Sequence, residues 1–286
     1  MTNAEKNAEW ERIPTEAELA EMLENARRPG VSLLKSTYSN DDGVLGCWLG
    51  GEPTLPPEID WPMVETEDPE YPEGPHGVPM HFIGQLDLAQ LPRREGMPDF
   101  PQRGTLFFFY DPVHGPVYDP FNGFERVIYV AEDVSGFQPR TMPDMPPIDH
   151  DWSVSGAYTR NPSQGYKKWS LSFSDFDGYA EDVYRNRAFE ERAVEKNIQV
   201  SSRVKETLTG RAIQDAENAC SVFAHHHFSG ANSRSEPMGD HVRLLAVKHD
   251  RDIGFAFAGN WVVFYISTDD LKAMNFGNAF SFGEFQ

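Results

Sequence analysis

No apolar run in this 286-residue chain approaches the roughly 18 to 20 residues that a membrane-spanning helix needs. Cysteine is scarce. Cys47 and Cys220 lie far apart and form no Cys-x-x-Cys pair, which excludes a disulfide framework and a cysteine zinc site and predicts two buried free thiols. Gly-x-Ser-x-Gly, a glycine-rich phosphate loop with its Lys, and His-Glu-x-x-His are all missing, so three common routes to hydrolysis or nucleotide chemistry have no footing. The opening Met1-Thr2-Asn3-Ala4-Glu5-Lys6 is polar and has no apolar segment behind it, which predicts no secretory signal and a cytosolic location.

Positive charge is the most unevenly distributed absence. Residues 36–92 hold eleven Asp and Glu and no Lys or Arg, in a chain whose formal net charge is −20. The carboxylates gather at Asp41 and Asp42 and again at Glu65, Glu67, Asp68, Glu70 and Glu73. Such a field repels nucleic acid and anionic membrane, since phosphate binding needs Lys and Arg to displace counterions. It attracts a basic protein, and those five loop residues are the candidate partner-binding set. The competing reading is solubility, because acidic surfaces keep proteins dispersed.

What the chain does have is aromatic bulk: 20 Phe, 10 Tyr and 6 Trp, with 39% hydrophobic residues, enough for a sizeable core. Two glycine-led apolar runs of strand length echo one another, Gly104-Thr105-Leu106-Phe107-Phe108-Phe109-Tyr110 and Gly259-Asn260-Trp261-Val262-Val263-Phe264-Tyr265. Each follows another such run, Phe82-Ile83-Gly84-Gln85-Leu86-Asp87 and Leu244-Leu245-Ala246-Val247-Lys248. Self-similarity of this kind predicts internal duplication.

Ahead of the first repeat, Thr15-Glu16-Ala17-Glu18 is a capping box, and Leu19, Met22, Leu23 and Ala26 form one apolar helical stripe. Arg27 and Arg28 suit the end of that helix and Pro29-Gly30 its stop. Residues 178 to 197 and 204 to 223 also read as helical, and Thr268-Asp269-Asp270-Leu271 as a helix start. The expected fold is therefore α+β: two strand-rich repeats related by an approximate two-fold, with helices before and between them. Residues 1–40 are expected to be a helical extension docked on a single domain at 41–286. Within that domain, repeat one covers about 44–135, a helical insert about 177–223 and repeat two about 224–275.

Several pieces fall in one order: Gly50-Gly51-x-Pro53-x-Leu55-Pro56, Trp61-Pro62, Phe82-Ile83-Gly84-Gln85-Leu86-Asp87-Leu88, Leu91-Pro92 and Gly104-x-Leu106-Phe107-Phe108-Phe109-Tyr110-Asp111. With the second strand pair and Asp269-Asp270-Leu271, the set resembles the YwqG-like family, a bacterial domain of unknown function, over roughly 44 to 271. The resemblance implies an α+β fold with internal duplication and no established catalytic residues. Some members are similar to proteins found near polymorphic toxin loci, which implies an immunity or inhibitor role. Two departures stand out. Cys47-Trp48-Leu49 precedes the Gly-Gly turn where the family has a small polar or basic residue, and Ala246-Val247-Lys248 replaces a second Gln-x-Asp.

Two constellations could carry chemistry. On a strand, His225 and His227 of His225-His226-His227 would face one way and could ligate a metal with His241 or Asp240, but the usual two-cluster spacing is missing. The expectation is no metal and no cofactor. Gln85 and Asp87, at alternate positions of one strand, form a candidate polar site at the repeat junction, with a structural role as turn cap and backbone partner expected over general-base catalysis. The preferred function is a non-enzymatic cytosolic binding protein with an acidic face for a basic partner. The alternative is a hydrolase or metal-dependent enzyme with its site between the repeats.

Overall fold

A computed structural model describes residues 27–35, 46–64, 77–111, 124–144, 165–179, 220–223, 241–255 and 261–284, with Ala17, Glu21, Glu24 and Asn25 ahead of them. Ten strands run in chain order: β1 (Arg27–Lys35), β2 (Trp48–Leu49), β3 (His81–Asp87), β4 (Thr105–Tyr110), β5 (Glu125–Val130), β6 (Trp169–Tyr179), β7 (Ser221–Val222), β8 (His241–Lys248), β9 (Trp261–Ser267) and β10 (Phe280–Glu284). They form one sheet in the order β10-β9-β8-β7-β1-β6-β2-β3-β4-β5, with every pairing antiparallel. The expectation of α+β with helices before and between repeats is overturned. Among the described residues the one complete α-helix is the short α1 (Thr268–Ala273), and Ala17, Glu21, Glu24 and Asn25 are helical and exposed.

The sheet reads alike from either edge. Inward from β5 come β4, the bulged β3, the two-residue β2 and the long β6; inward from β10 come β9, the bulged β8, the two-residue β7 and the long β1. The bulges fix the correspondence. Ile83 is the extra residue between Phe82 and Gly84, and Leu244 is the extra residue between Arg243 and Leu245. Gly84 then pairs with Phe108 as Leu245 pairs with Phe264. Phe108 therefore matches Phe264, one residue away from the glycine-led alignment of 104–110 with 259–265. The two matched rings meet edge-on with centroids 5.2 Å apart.

This symmetry reassigns the N-terminus. Arg27 and Arg28 do not end a docked helix; with the short apolar run Val31 to Leu34 they belong to β1, which pairs with β6 over nine residues and with β7 on its other side. Taken with chain order, β2 to β6 make one five-strand unit, and β7 to β10 make a second whose fifth strand is β1. Pro29 marks no helix stop either; it pairs with Asp177 within β6, the stretch whose last residues had been assigned to a helical insert. The sequence signal for β6 is plain alternation: Trp169, Leu171 and Phe173 against Ser170, Ser172 and Ser174. Trp169 and Leu171 are buried. Residues 180–219 of the expected helical insert lie outside the described residues.

The apolar run of β4 is a consequence of burial on both faces. Leu106, Phe108 and Tyr110 enter a core shared with Val31, Leu171 and Phe264, while Phe107 and Phe109 pack beneath Leu55, Trp61 and Met80. Each buried ring contributes about 1.5–3 kcal/mol. Trp61 sits edge-on to Phe109 at 5.3 Å and donates its indole N–H to the Met80 carbonyl at 2.9 Å. The Gly50-Gly51 turn lets the chain pass hard against the start of β6. Gly50 has φ +61, and a Cβ there would lie 2.2 Å from the Lys167 carbonyl oxygen. Ser267 caps α1 by accepting the Asp270 amide, as the Thr268-Asp269-Asp270-Leu271 start requires.

Removing residues 1–35 tests the role of β1. A dispensable extension would leave the melting transition in place. Loss of the strand joining the two units instead exposes β6 and β7 as raw edges, so the truncated chain is expected to lose its cooperative thermal transition and aggregate. Calorimetry and light scattering read both.

Candidate functional site

Gln85 and Asp87 occupy the end of β3, and both turn toward the segment at Gly46 and Cys47. Gln85 is 1% exposed. Its Oε1 accepts the Thr54 amide at 3.0 Å and the Thr54 hydroxyl at 3.2 Å, and its Nε2 donates to the Gly46 carbonyl at 3.4 Å. One amide thus ties together both ends of the loop that carries β2 and the Gly-Gly turn. Asp87 accepts the Ala89 amide at 3.0 Å and the Gln90 side chain at 3.4 Å, which makes it a turn cap. The Cys47 thiol sits against the Asp87 backbone, with its Sγ 3.3 Å from the amide nitrogen. Burial pushes that thiol up to about 12, with the Asp87 charge adding to the rise, so no thiolate nucleophile forms there near neutral pH. Both cysteines are free, as the sequence predicted.

The acidic stretch is anchored through its first part. Glu52, Glu58 and Asp60 are exposed on a loop whose backbone is gripped by Arg140. The Arg140 guanidinium donates to the carbonyls of Pro56 at 2.9 Å and Ile59 at 2.6 Å, and its amide donates to Pro53. The cations that border this stretch in sequence, Lys35, Arg93 and Arg94, have other partners, as does the more distant Arg126; Lys35 pairs with Asp250 and Asp252. Arg93 donates to the Phe100 and Pro101 carbonyls and lies over the Phe100 ring, Arg94 pairs with Asp175 at 3.8 Å, and Arg126 acts on Glu125. Glu65, Glu67, Asp68, Glu70 and Glu73 lie outside the described residues, as do His225, His226, His227 and Asp240. His241 begins β8, with its ring edge-on to Phe280. Among the described residues no three His, Cys, Asp or Glu side chains gather as a metal site.

A buried polar row that the sequence reading passed over lies where the sheet nearly closes. His81, Tyr110 and Glu125 stand opposite one another across β3, β4 and β5, and Glu125 meets Ser281 of β10. The His81 ring also approaches Tyr166, with centroids 5.5 Å apart. Burial raises the Tyr110 phenol, helped by the charges of Asp111 and Glu125. Burial likewise pushes Glu125 up to about 7, against the Ser281 hydrogen bond and the Arg126 charge. The signal was available. Alternation along Glu125-Arg126-Val127 puts Glu125 on the face of Val127, a core residue.

Where the two units meet, a cleft of about 30 Å³ opens among Lys35, Leu49, Leu171, Cys220, Asp250 and Phe255, room for about one water. Lys35 closes its mouth by pairing with Asp250 at 2.7 Å and Asp252 at 2.9 Å. Burial opposes ionisation of Asp250, but the Lys35 hydrogen bond prevails and holds it below the usual carboxylate range.

Gln85→Leu keeps the volume but strands the Thr54 amide and the Gly46 carbonyl. It is expected to cost about 1–3 kcal/mol in a denaturant titration, the penalty for orphaned buried polar groups. Asp87→Asn retains an acceptor for Ala89 and is expected to cost less than about 1 kcal/mol.

Comparison with curated proteins returned no match. A family model described as Domain of unknown function (DUF1963) matches residues 48–282, from the first residue of β2 into β10 and beyond β1. With most of its length covered in this way, the chain belongs to that family of domains.

Proposed function

We propose that this protein is a binding protein that captures a basic partner on the acidic side of its first unit. The supporting observation is that residues 36–92 carry eleven carboxylates and no cation, while the arginines that border them are engaged elsewhere. Neutral backbone carbonyls, not carboxylates, occupy the Arg140 guanidinium contacts in the loop of Glu52 and Glu58. Those carboxylates therefore face solvent on a backbone held in place, a preorganised arrangement for charge-steered association. Stability gives little reason to build it, since exposed ion pairs are worth only about 0–1 kcal/mol each. Within the YwqG-like resemblance, an immunity or inhibitor protein is the most concrete form of this reading. The enzyme alternative loses Asp87, whose carboxylate is committed to a turn. No helix among the described residues is long and apolar enough to cross a membrane.

The test combines Glu65→Gln, Glu67→Gln, Asp68→Asn, Glu70→Gln and Glu73→Gln in one variant. Its thermal stability is expected to equal or slightly exceed that of the parent, because repulsion among the five charges is removed. Partners captured by the parent from its native host are identified by mass spectrometry. Association of the variant with such a partner is then expected to be slower, with the deficit shrinking as salt shortens the screening length from about 8 Å near 0.15 M. An association rate indifferent both to salt and to the five changes would leave the acidic stretch as a solubility device.

A further inference from the structure

The two edge strands of the sheet, β5 and β10, come together without a backbone ladder among the described residues. Side chains join them instead. The Ser281 hydroxyl donates to Glu125 Oε2 at 3.0 Å, and the Ser281 amide also faces that carboxyl. Below it, Tyr129 packs on Phe276 of the turn between β9 and β10, with centroids 5.1 Å apart. Glu125 is 7% and Ser281 5% exposed, so the polar part of the seam is sealed from water. The fold places an ionisable group where, among the described residues, side chains and not a backbone ladder join the two edges of the sheet.

We propose that the contact between Glu125 and Ser281 is a proton-operated latch on the sheet: it holds β5 to β10 while Glu125 is protonated and loosens the seam when that proton leaves. Neutral carboxyl is the form that this pocket tolerates, since taking a carboxylate out of water without a full partner is costly. The groups that face it are few in kind. Tyr110 of β4 supplies a phenol, itself beside the Asp111 carboxyl that follows the strand, Ser281 of β10 supplies its donors, and Arg126 on the same strand supplies partial compensation. Beyond Tyr110 lie His81 of β3 and Tyr166. Parting the strands admits water to the carboxylate and restores its ordinary acidity.

The sign follows from that cycle. The closed seam holds the Glu125 proton up to about 7, against 4.5 for the solvated group. Closure is thus fully favoured below the lower value, is lost progressively as pH rises toward the upper one, and loses nothing further beyond it. Between about pH 5.5 and about pH 8 the opening equilibrium is expected to grow about 30-fold, tenfold for each pH unit up to the upper value.

Hydrogen exchange of the full chain, read by mass spectrometry and corrected for the intrinsic pH dependence, tests this on peptides covering 125–130 and 280–284. In the parent, protection there is expected to fall about 30-fold across that interval, while β1 and β6 hold theirs. Glu125→Gln, which mimics the neutral carboxyl and cannot ionise, is expected to stay protected at every pH. Persistence of the same pH dependence in Glu125→Gln would assign it to His81 or another group and overturn the latch. So would unchanged protection in the parent. If Glu125→Gln fails to fold, carbon-13 titration of the Glu125 carboxyl in the parent decides: a midpoint near 7 supports the latch, and one near 4.5 overturns it.

Discussion

Phe108 and Phe264 meet because two five-strand units carry the same bulge at the same place and turn the residue beside it toward a common core. Much of the architecture hangs on that contact. A bulge bends the strand that carries it, and at the far edges of the sheet β5 and β10 lie within side-chain reach of one another. Burial on both faces then dictates composition. β4 and β9 have no solvent face, so neither tolerates the polar alternation of a one-sided sheet, and both read as unbroken apolar runs.

Several polar groups buried in this core have a structural task. Gln85 spends its amide on two loop ends, and Asp87 spends its carboxylate on a turn. Arg243 is buried on β8 and donates to the Ser221 hydroxyl at 2.7 Å, joining β8 to the two-residue β7. Glu125 differs from these. Its partners at the seam do not offset what burial costs its charge, and so its protonation state is coupled to the closure of the sheet.

The same economy bears on the charge. Arg93 and Arg140 are drawn into holding backbone carbonyls and Arg94 into pairing with Asp175 of β6, while Glu52, Glu58 and Asp60 are exposed. A protein that needed only solubility could spread its negative charge. Here residues 46–179 hold 21 Asp and Glu against 8 Lys and Arg, while residues 180–286 hold 15 against 12, so the net negative charge is an asymmetry laid over a nearly symmetric sheet.

Strand by strand, the sequence carried much of the sheet. β3, β4, β8 and β9 are recognisable from apolar runs of strand length, β10 from its Phe-rich ending, and α1 from its acidic start. Those signals are local, because a buried strand or a capped turn is specified by the residues that compose it. The α+β reading failed where local signals conflict with partners far away. Arg27-Arg28-Pro29-Gly30 resembles a helix end, yet it is the start of a strand that pairs with residues about 150 positions later. No window along the chain contains that pairing. The same distance hid Glu125, whose face is legible from alternation but whose meaning depends on Ser281, 156 residues away. By itself the sequence determined the buried strands β3, β4, β8 and β9, the free thiols and the lopsided charge. Only the tertiary structure decided that the N-terminal strand completes the C-terminal unit, and that a carboxyl lies sealed where the sheet closes, because both depend on which distant backbones come into register.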